Sequence, residues 1–201
     1  ERRMTTSPYF SNTYSEAREK FLAACADRGI SVDSRLNPNA KGAQGEDLYT
    51  DIAHIGPENA TKVLVLTSAT HGVEGYCGSG AQVGLLREGY FADLPEDTAV
   101  LFIHAMNPYG FSHNRRVNED NVDLNRNFMA FREEVLPVGP YGKIHESIVP
   151  ADWDGPAKAA ADRAIEAYIT EHGLTAFQAA ASEGQYHHSD GIFYGGQRPV
   201  W

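Results

Sequence analysis

The chain has 201 residues, 42% of them apolar, enough for one sizeable hydrophobic core and short for two, so a single domain over residues 1–201 is expected. Its 17 basic and 27 acidic side chains leave a formal net charge of −10, which excludes nucleic-acid or anionic-membrane partners that need a clustered basic face. No apolar run reaches membrane-spanning length and Glu1–Phe10 lacks the apolar stretch of a signal peptide, so the chain reads as a cytoplasmic protein with a small partner.

From Tyr14 the apolar positions Tyr14, Ala17, Phe21, Ala24 and Cys25 recur at helical spacing. Thr13 and Glu16 have the form of a capping box, and Gly29 is placed to end the helix. Cys25 and Cys77 lack metal-ligand spacing and read as small buried hydrophobes, which favours a reducing compartment. Asn37, Pro38, Asn39, Gly42 and Gly45 mark a turn-rich stretch; after it Leu48–Ile55 alternates as a half-buried strand. Lys62–Ser68 and Ala99–His104 are continuous apolar runs of the kind covered on both faces, and they predict neighbouring parallel strands. Between them Glu74–Gly89 suits the crossover helix of a βαβ unit. Asn107–Asn127 is polar and loop-like, and Pro137–Pro156 is irregular and long enough to carry function. Pro156–His172 predicts a helix with proline in its first turn and Gly173 as its stop; Leu174–Trp201 holds a short strand-like run among glycines.

The sharpest chemical signal is His71-Gly-Val-Glu74, directly after a buried strand and before the crossover helix. Ligands collect outside the carboxyl ends of parallel strands in open α/β sheets, so a histidine and a carboxylate three residues apart there can converge on one ion. Both are zinc donors, and a catalytic zinc site needs three protein ligands with one place kept for water. The spacing alone also fits a surface helix start in which Glu74 favours the N-terminal dipole. Further on, Arg115–Phe128 is dense in guanidinium and amide groups. Arg126 with Asn125 beside it offers a bidentate grip on a carboxylate, and Arg116 offers charge for an oxyanion. The alternative is a loop whose arginines pair with Glu119, Asp120 and Asp123. Adjacent His187 and His188 point to opposite faces of an extended segment, so at most one reaches an ion, and both read as hydrogen-bonding or substrate contacts. His54, His104, His113, His145 and His172 read as ordinary core or surface histidines. Glycines at 72, 75, 78 and 80 miss the spacing of a nucleotide-binding loop.

In order, His71-x-x-Glu74, Asn107-Pro108-x-Gly110, Arg116-x-Asn118 and Val122-Asp123-Leu124-Asn125-Arg126-Asn127-Phe128 resemble the zinc metallocarboxypeptidases of the carboxypeptidase A family. With His71–Gly75, Ile103–Gly110 and Gly191–Gly196 included, the likeness spans roughly residues 10 to 201 and is nearest to a branch of bacterial-type metallopeptidases. The resemblance implies a three-layer α/β sandwich with a mixed, mostly parallel twisted sheet and helices on both faces. It implies one Zn2+ on His71 and Glu74, Arg116 as the oxyanion-stabilising arginine, and Asn125 and Arg126 as receivers of a free carboxylate. The family's third ligand, a histidine, and its general base, a glutamate, have no clear counterpart here. The resemblance places that histidine in an Asp-x-His-Thr motif beyond Trp201, so the chain is expected to lack the C-terminal part of its catalytic domain. The implied activity is zinc-dependent hydrolysis of an amide bond next to a free carboxylate, on a small peptide or an acyl-amino acid. Deacylases of the aspartoacylase and succinylglutamate desuccinylase type share this metal and arginine logic. A non-catalytic carboxylate- or peptide-binding module is the alternative of another class.

Overall fold

A computed structural model of the chain describes residues 7–131 and 138–201. Glu1–Thr6, read above for a leader, and Pro137, read as the start of an irregular stretch, lie outside the described residues. Two compact units follow one another, Glu1–Glu119 and Asp120–Trp201. Among the described residues no helix is long and apolar enough to cross a membrane.

The first unit opens with α1 (Tyr14–Asp27), capped as its sequence predicts. The Thr13 hydroxyl accepts the Glu16 N–H at 3.2 Å, and the Glu16 carboxylate accepts the N–H of Asn12 at 2.8 Å. At its far end Gly29 turns left-handed (φ +67°), which lets the Ile30 N–H reach the Cys25 carbonyl at 2.9 Å. Then β1 (Val32–Lys41) and β2 (Asp47–Ile55) form an antiparallel hairpin. Asn37, Pro38 and Asn39 therefore lie in a strand and not in a turn; the pairing register breaks between Leu36 and Lys41, where an edge strand tolerates a residue without an N–H.

β3 (Lys62–Thr67), α2 (Gly75–Arg87) and β4 (Thr98–His104) form the expected crossover, with β3 parallel to β4. The sheet order is β1-β2-β4-β3. Only β3–β4 is parallel, so among the described residues the sheet is mixed and not mostly parallel. The reason is local: the short connections after β1 and after β2 each reverse the chain, and the crossover then lays β4 parallel to β3 and so antiparallel to β2. α1 and α2 cover one face, packing Phe21, Ala24, Cys25, Val83 and Leu86 on Ala53, Val100 and Phe102. β4 is central and largely buried as expected, but β3 is the edge, with Val63, Leu64 and Val65 exposed. An apolar run reads alike at the edge and in the centre, because its neighbours decide its burial. After β4 comes α3 (Pro108–His113), a short helix within the stretch read as loop.

In the second unit α4 (His145–Ile148) precedes α5 (Pro156–His172) and α6 (Leu174–Ser182). α5 has its predicted bounds. Gly173, at φ +90°, closes α5 and opens α6 directly; beyond α6 the strand-like character expected among the glycines is a single bridge between Gln185 and Tyr194. Tyr141, Ile144 and Ala180 form the core of this unit.

One buried polar network supports the sheet. Asp51, fully buried, accepts Arg18 Nε at 2.7 Å and Nη2 at 3.1 Å, and faces His104 across the β2–β4 ladder. His104 Nε2 lies 2.8 Å from Ser79 Oγ, and its ring stacks on Phe21. Burial pushes the His104 imidazole from its ordinary 6.5 down to about 4. Burial likewise pushes the Cys25 thiol up to about 12, whereas Cys77 is exposed and not the buried hydrophobe expected.

The folded pKa of His104 lies below its unfolded value, so on acidification the unfolded chain takes up the proton first. Its contribution to stability is complete above pH about 6.5 and is lost as pH falls towards about 4, on the order of 3 kcal/mol over that window. Urea unfolding between pH 7 and 4.5 should show this decline, and His104→Gln should flatten it; parallel pH profiles would remove His104 as its source.

Candidate metal and substrate site

The ladder between β3 and β4 continues past both strands. Met106 N–H reaches the Ser68 carbonyl at 2.8 Å and Asn107 N–H reaches Ala69 at 3.0 Å, so both segments leave the sheet side by side. His71 is still extended, and Gly72–Glu74 form a 3-10 turn that runs straight into α2. This brings His71 Nδ1 to 2.9 Å from Glu74 Oε1. At that distance the pair makes a direct hydrogen bond; two donors on one tetrahedral zinc stand roughly 3.3–3.5 Å apart, so an ion would enter by parting the two by a few tenths of an ångström. The His71 side chain is 10% exposed and that of Glu74 is 63% exposed, which gives the pair one dry side and one open to solvent.

Glycine at 72 is demanded by its neighbours. Its N–H donates to the Arg115 carbonyl at 3.0 Å, and a Cβ there would fall inside the Gly110 carbonyl group. Asn107, buried, joins the same assembly: its Oδ1 accepts the Gly110 N–H at 2.8 Å and caps α3, while its Nδ2 donates to the Arg116 carbonyl at 3.3 Å. The His71 turn, the Asn107–Gly110 corner and the backbone of Arg115–Arg116 are thus one hydrogen-bonded piece, with the Arg116 side chain on the surface.

Asn125 and Arg126 belong to the second unit, on a 3-10 turn (Leu124–Arg126) in which Asp123 Oδ1 accepts the Asn125 N–H at 2.9 Å. Asn125 is exposed. The Arg126 guanidinium is braced internally: Nη2 donates to the Ser182 carbonyl at the end of α6 (2.7 Å), Nη1 to the Asn125 carbonyl (3.2 Å), and Cζ lies 5.2 Å from the Phe193 ring centre. Its Nε is buried with no partner. Around it, Tyr186 Oη donates to the Arg126 carbonyl at 2.8 Å, and Asn127 Nδ2 donates to the carbonyls of Gly195 (2.8 Å) and Arg198 (2.9 Å). A side chain at Gly195 would overlap the Tyr186 ring, so the Val122–Phe128 and Gly191–Gly196 motifs pack as a matched pair.

The second unit also holds a group that the sequence reading missed. His145, His188 and Asp190 bring one ligand atom each to within 4.8 Å of one another. His145 is remote from the others in the chain, and only folding reveals it. The trace left in sequence is His188-x-Asp190, two ligand types that a tight turn, closed by the Gly191 N–H on the His188 carbonyl, keeps close together.

The chain belongs to the family described as protein of unknown function (DUF2817), whose model matches residues 10–201. No curated protein matches it significantly. Among solved structures it is similar to carboxypeptidase A from Helicoverpa armigera, at 17% identity over 85% of this chain and 46% of that one, with a TM-score of 0.45. It is similar too to a metallo-carboxypeptidase from Burkholderia cenocepacia, at 16% identity over 82% of this chain and 40% of the other, TM-score 0.40. An aspartoacylase family protein from Mesorhizobium loti matches at 19% identity over 71% and 37% of the two chains, TM-score 0.34. The chain spans between a third and a half of the length of these proteins.

Gly72→Ala should break the docking of the His71 turn, because its new methyl group meets backbone and not a movable side chain. Thermal unfolding should fall by an amount equivalent to roughly 2 kcal/mol or more, with zinc affinity falling in parallel; unchanged zinc binding would show that the turn does not depend on this contact.

Proposed function

We propose that this chain is part of a zinc-dependent hydrolase that cleaves an amide bond beside a free carboxylate, with His71 and Glu74 as two of the ligands of one Zn2+. The observation that carries this reading is the 2.9 Å approach of His71 Nδ1 and Glu74 Oε1 just past the parallel strand pair, on a turn hydrogen-bonded to the Arg115–Arg116 backbone. One dry imidazole and one solvent-reaching carboxylate suit zinc, which takes both nitrogen and oxygen donors. When bound, the ion supplies an activated water and polarisation of the scissile carbonyl.

The chain's own residues do the rest. Arg116 meets the carbonyl oxygen as it gains negative charge, and a fixed backbone keeps the cost of placing it low. Arg126 and Asn125 receive the substrate's carboxylate. Two of the five guanidinium donors of Arg126 are used internally, which braces the fork that an incoming carboxylate would meet. The substrate is then a small peptide or an acyl-amino acid.

Peptides with a free C-terminus, the same peptides amidated, and N-acyl amino acids should be assayed side by side. Amidation should abolish turnover, Arg126→Ala should raise KM roughly tenfold or more, and Arg116→Ala should lower kcat by about 10²–10³ with KM little changed. Turnover indifferent to amidation would remove the carboxylate role. Turnover confined to N-acyl amino acids would replace peptidase by deacylase, and the absence of both stoichiometric zinc and turnover would leave a binding module.

A further inference from the structure

We propose a second metal site, built wholly within the second unit from His145, His188 and Asp190, that takes a divalent first-row cation of the zinc class. It goes beyond the hydrolase reading and does not depend on it. His145 Nε2 stands 3.4 Å from Asp190 Oδ1, close to the roughly 3.3–3.5 Å expected of two donors on one tetrahedral ion. The His145 and His188 rings lie 3.9 Å apart and 24° from parallel, so the ligand atoms of all three residues are within 4.8 Å of one another, and the His188 ring must turn out of this stack for its nitrogen to face the same ion.

The surroundings prepare these donors. Tyr141, almost wholly buried, accepts the Ile192 N–H at 3.0 Å and lies 3.3 Å from His145 Nδ1. With Nδ1 turned to that hydroxyl, Nε2 is the nitrogen presented to Asp190, and a fixed second partner of this kind orients histidine ligands in metal sites. On the other side, buried Gln185 holds the loop. Its Oε1 accepts the N–H groups of His187 (3.0 Å) and His188 (2.7 Å), and its Nε2 donates to the His188 carbonyl at 2.6 Å. The Gly191 N–H closes on that same carbonyl at 3.0 Å. The backbone carrying His188 and Asp190 is therefore set before an ion arrives, which lowers the ordering cost of binding.

The donor set chooses the ion. Two imidazoles and one carboxylate suit zinc and its nitrogen-preferring neighbours, whereas Mg2+ and Ca2+ ask for an oxygen-rich shell. Three protein donors leave a position for water or an incoming group. His145 and Asp190 line an open groove of about 760 Å³ that runs along Ala157, Ala160 and Ala161 of α5, so that position is reachable.

Zinc titration by calorimetry, with cobalt absorption as the spectroscopic readout, tests this in the protein carrying His71→Ala and Glu74→Ala. That variant should still bind one equivalent of Zn2+ and give a cobalt d–d spectrum, which removes any dependence on the hydrolase reading. Adding His188→Gln or Asp190→Asn should weaken binding roughly tenfold or more and abolish the spectrum, whereas His187→Gln should change neither. The same counts in the otherwise unaltered protein, two equivalents falling to one with His188→Gln, guard against misfolding of the double variant, with circular dichroism as the check. No saturable zinc in the double variant while its fold is retained, or equal affinity with and without His188, would overturn the proposal.

Discussion

Gly72 meets Gly110 backbone to backbone, with its N–H given to Arg115, and the rest of the candidate site in the first unit is arranged around that contact. Because neither partner has a side chain there, the turn after β3 can lie flat on the corner after β4. That fixes the direction in which His71 leaves the sheet and the start of α2 that carries Glu74. It also ties Arg115 and Arg116 to the same turn, with Asn107 as a second fastening. The proposed metal ligands and the arginine proposed to stabilise charge thus sit on backbone fixed by main-chain hydrogen bonds, which wander less than long side chains would.

Beneath this turn the sheet is stiffened by polar groups that its core surrounds. A buried Asp51–Arg18 pair is weak evidence for stability by itself, since desolvation offsets much of the attraction. Its value here is positional: Asp51, Ser34 and Arg18 pin β1, β2 and α1 together, and Ser79 with His104 pins α2 to β4. A slip of one residue in any of these strands would strand a buried charge or imidazole, so register is strongly specified.

Much of this was legible in the chain. Thr13 and Glu16, the β3–α2–β4 crossover, and the bounds of α5 all follow from patterns a few residues long, and the structure repeats them. What failed involved neighbours that no local pattern names. The run at Lys62 looked doubly covered but forms an edge. Pro38 suggested a turn but sits in an irregular strand, and although Gly173 ends α5 as read, no local pattern announced that α6 follows it at once. The site shows the same division: His71 and Glu74 are adjacent in sequence and meet, whereas the approach of His145 to His188 and Asp190 exists only after folding. Arg126 stood out in the sequence as a candidate receiver of a carboxylate, whereas its brace on the Ser182 carbonyl did not, since α6 was not foreseen.

The two candidate metal groups differ in kind. At His71 the donors stand on a strand-to-helix turn and reach solvent through Glu74; in the second group His145 stands on α4 and the other two on a loop organised by one buried glutamine. The central claim concerns the first. Anomalous diffraction at the zinc edge, from crystals grown with Zn2+, tests it most directly. A peak within about 2.0–2.2 Å of both His71 Nδ1 and a Glu74 carboxylate oxygen is the predicted result. Well-ordered density for both side chains, with no anomalous scatterer between them at saturating zinc, would contradict it.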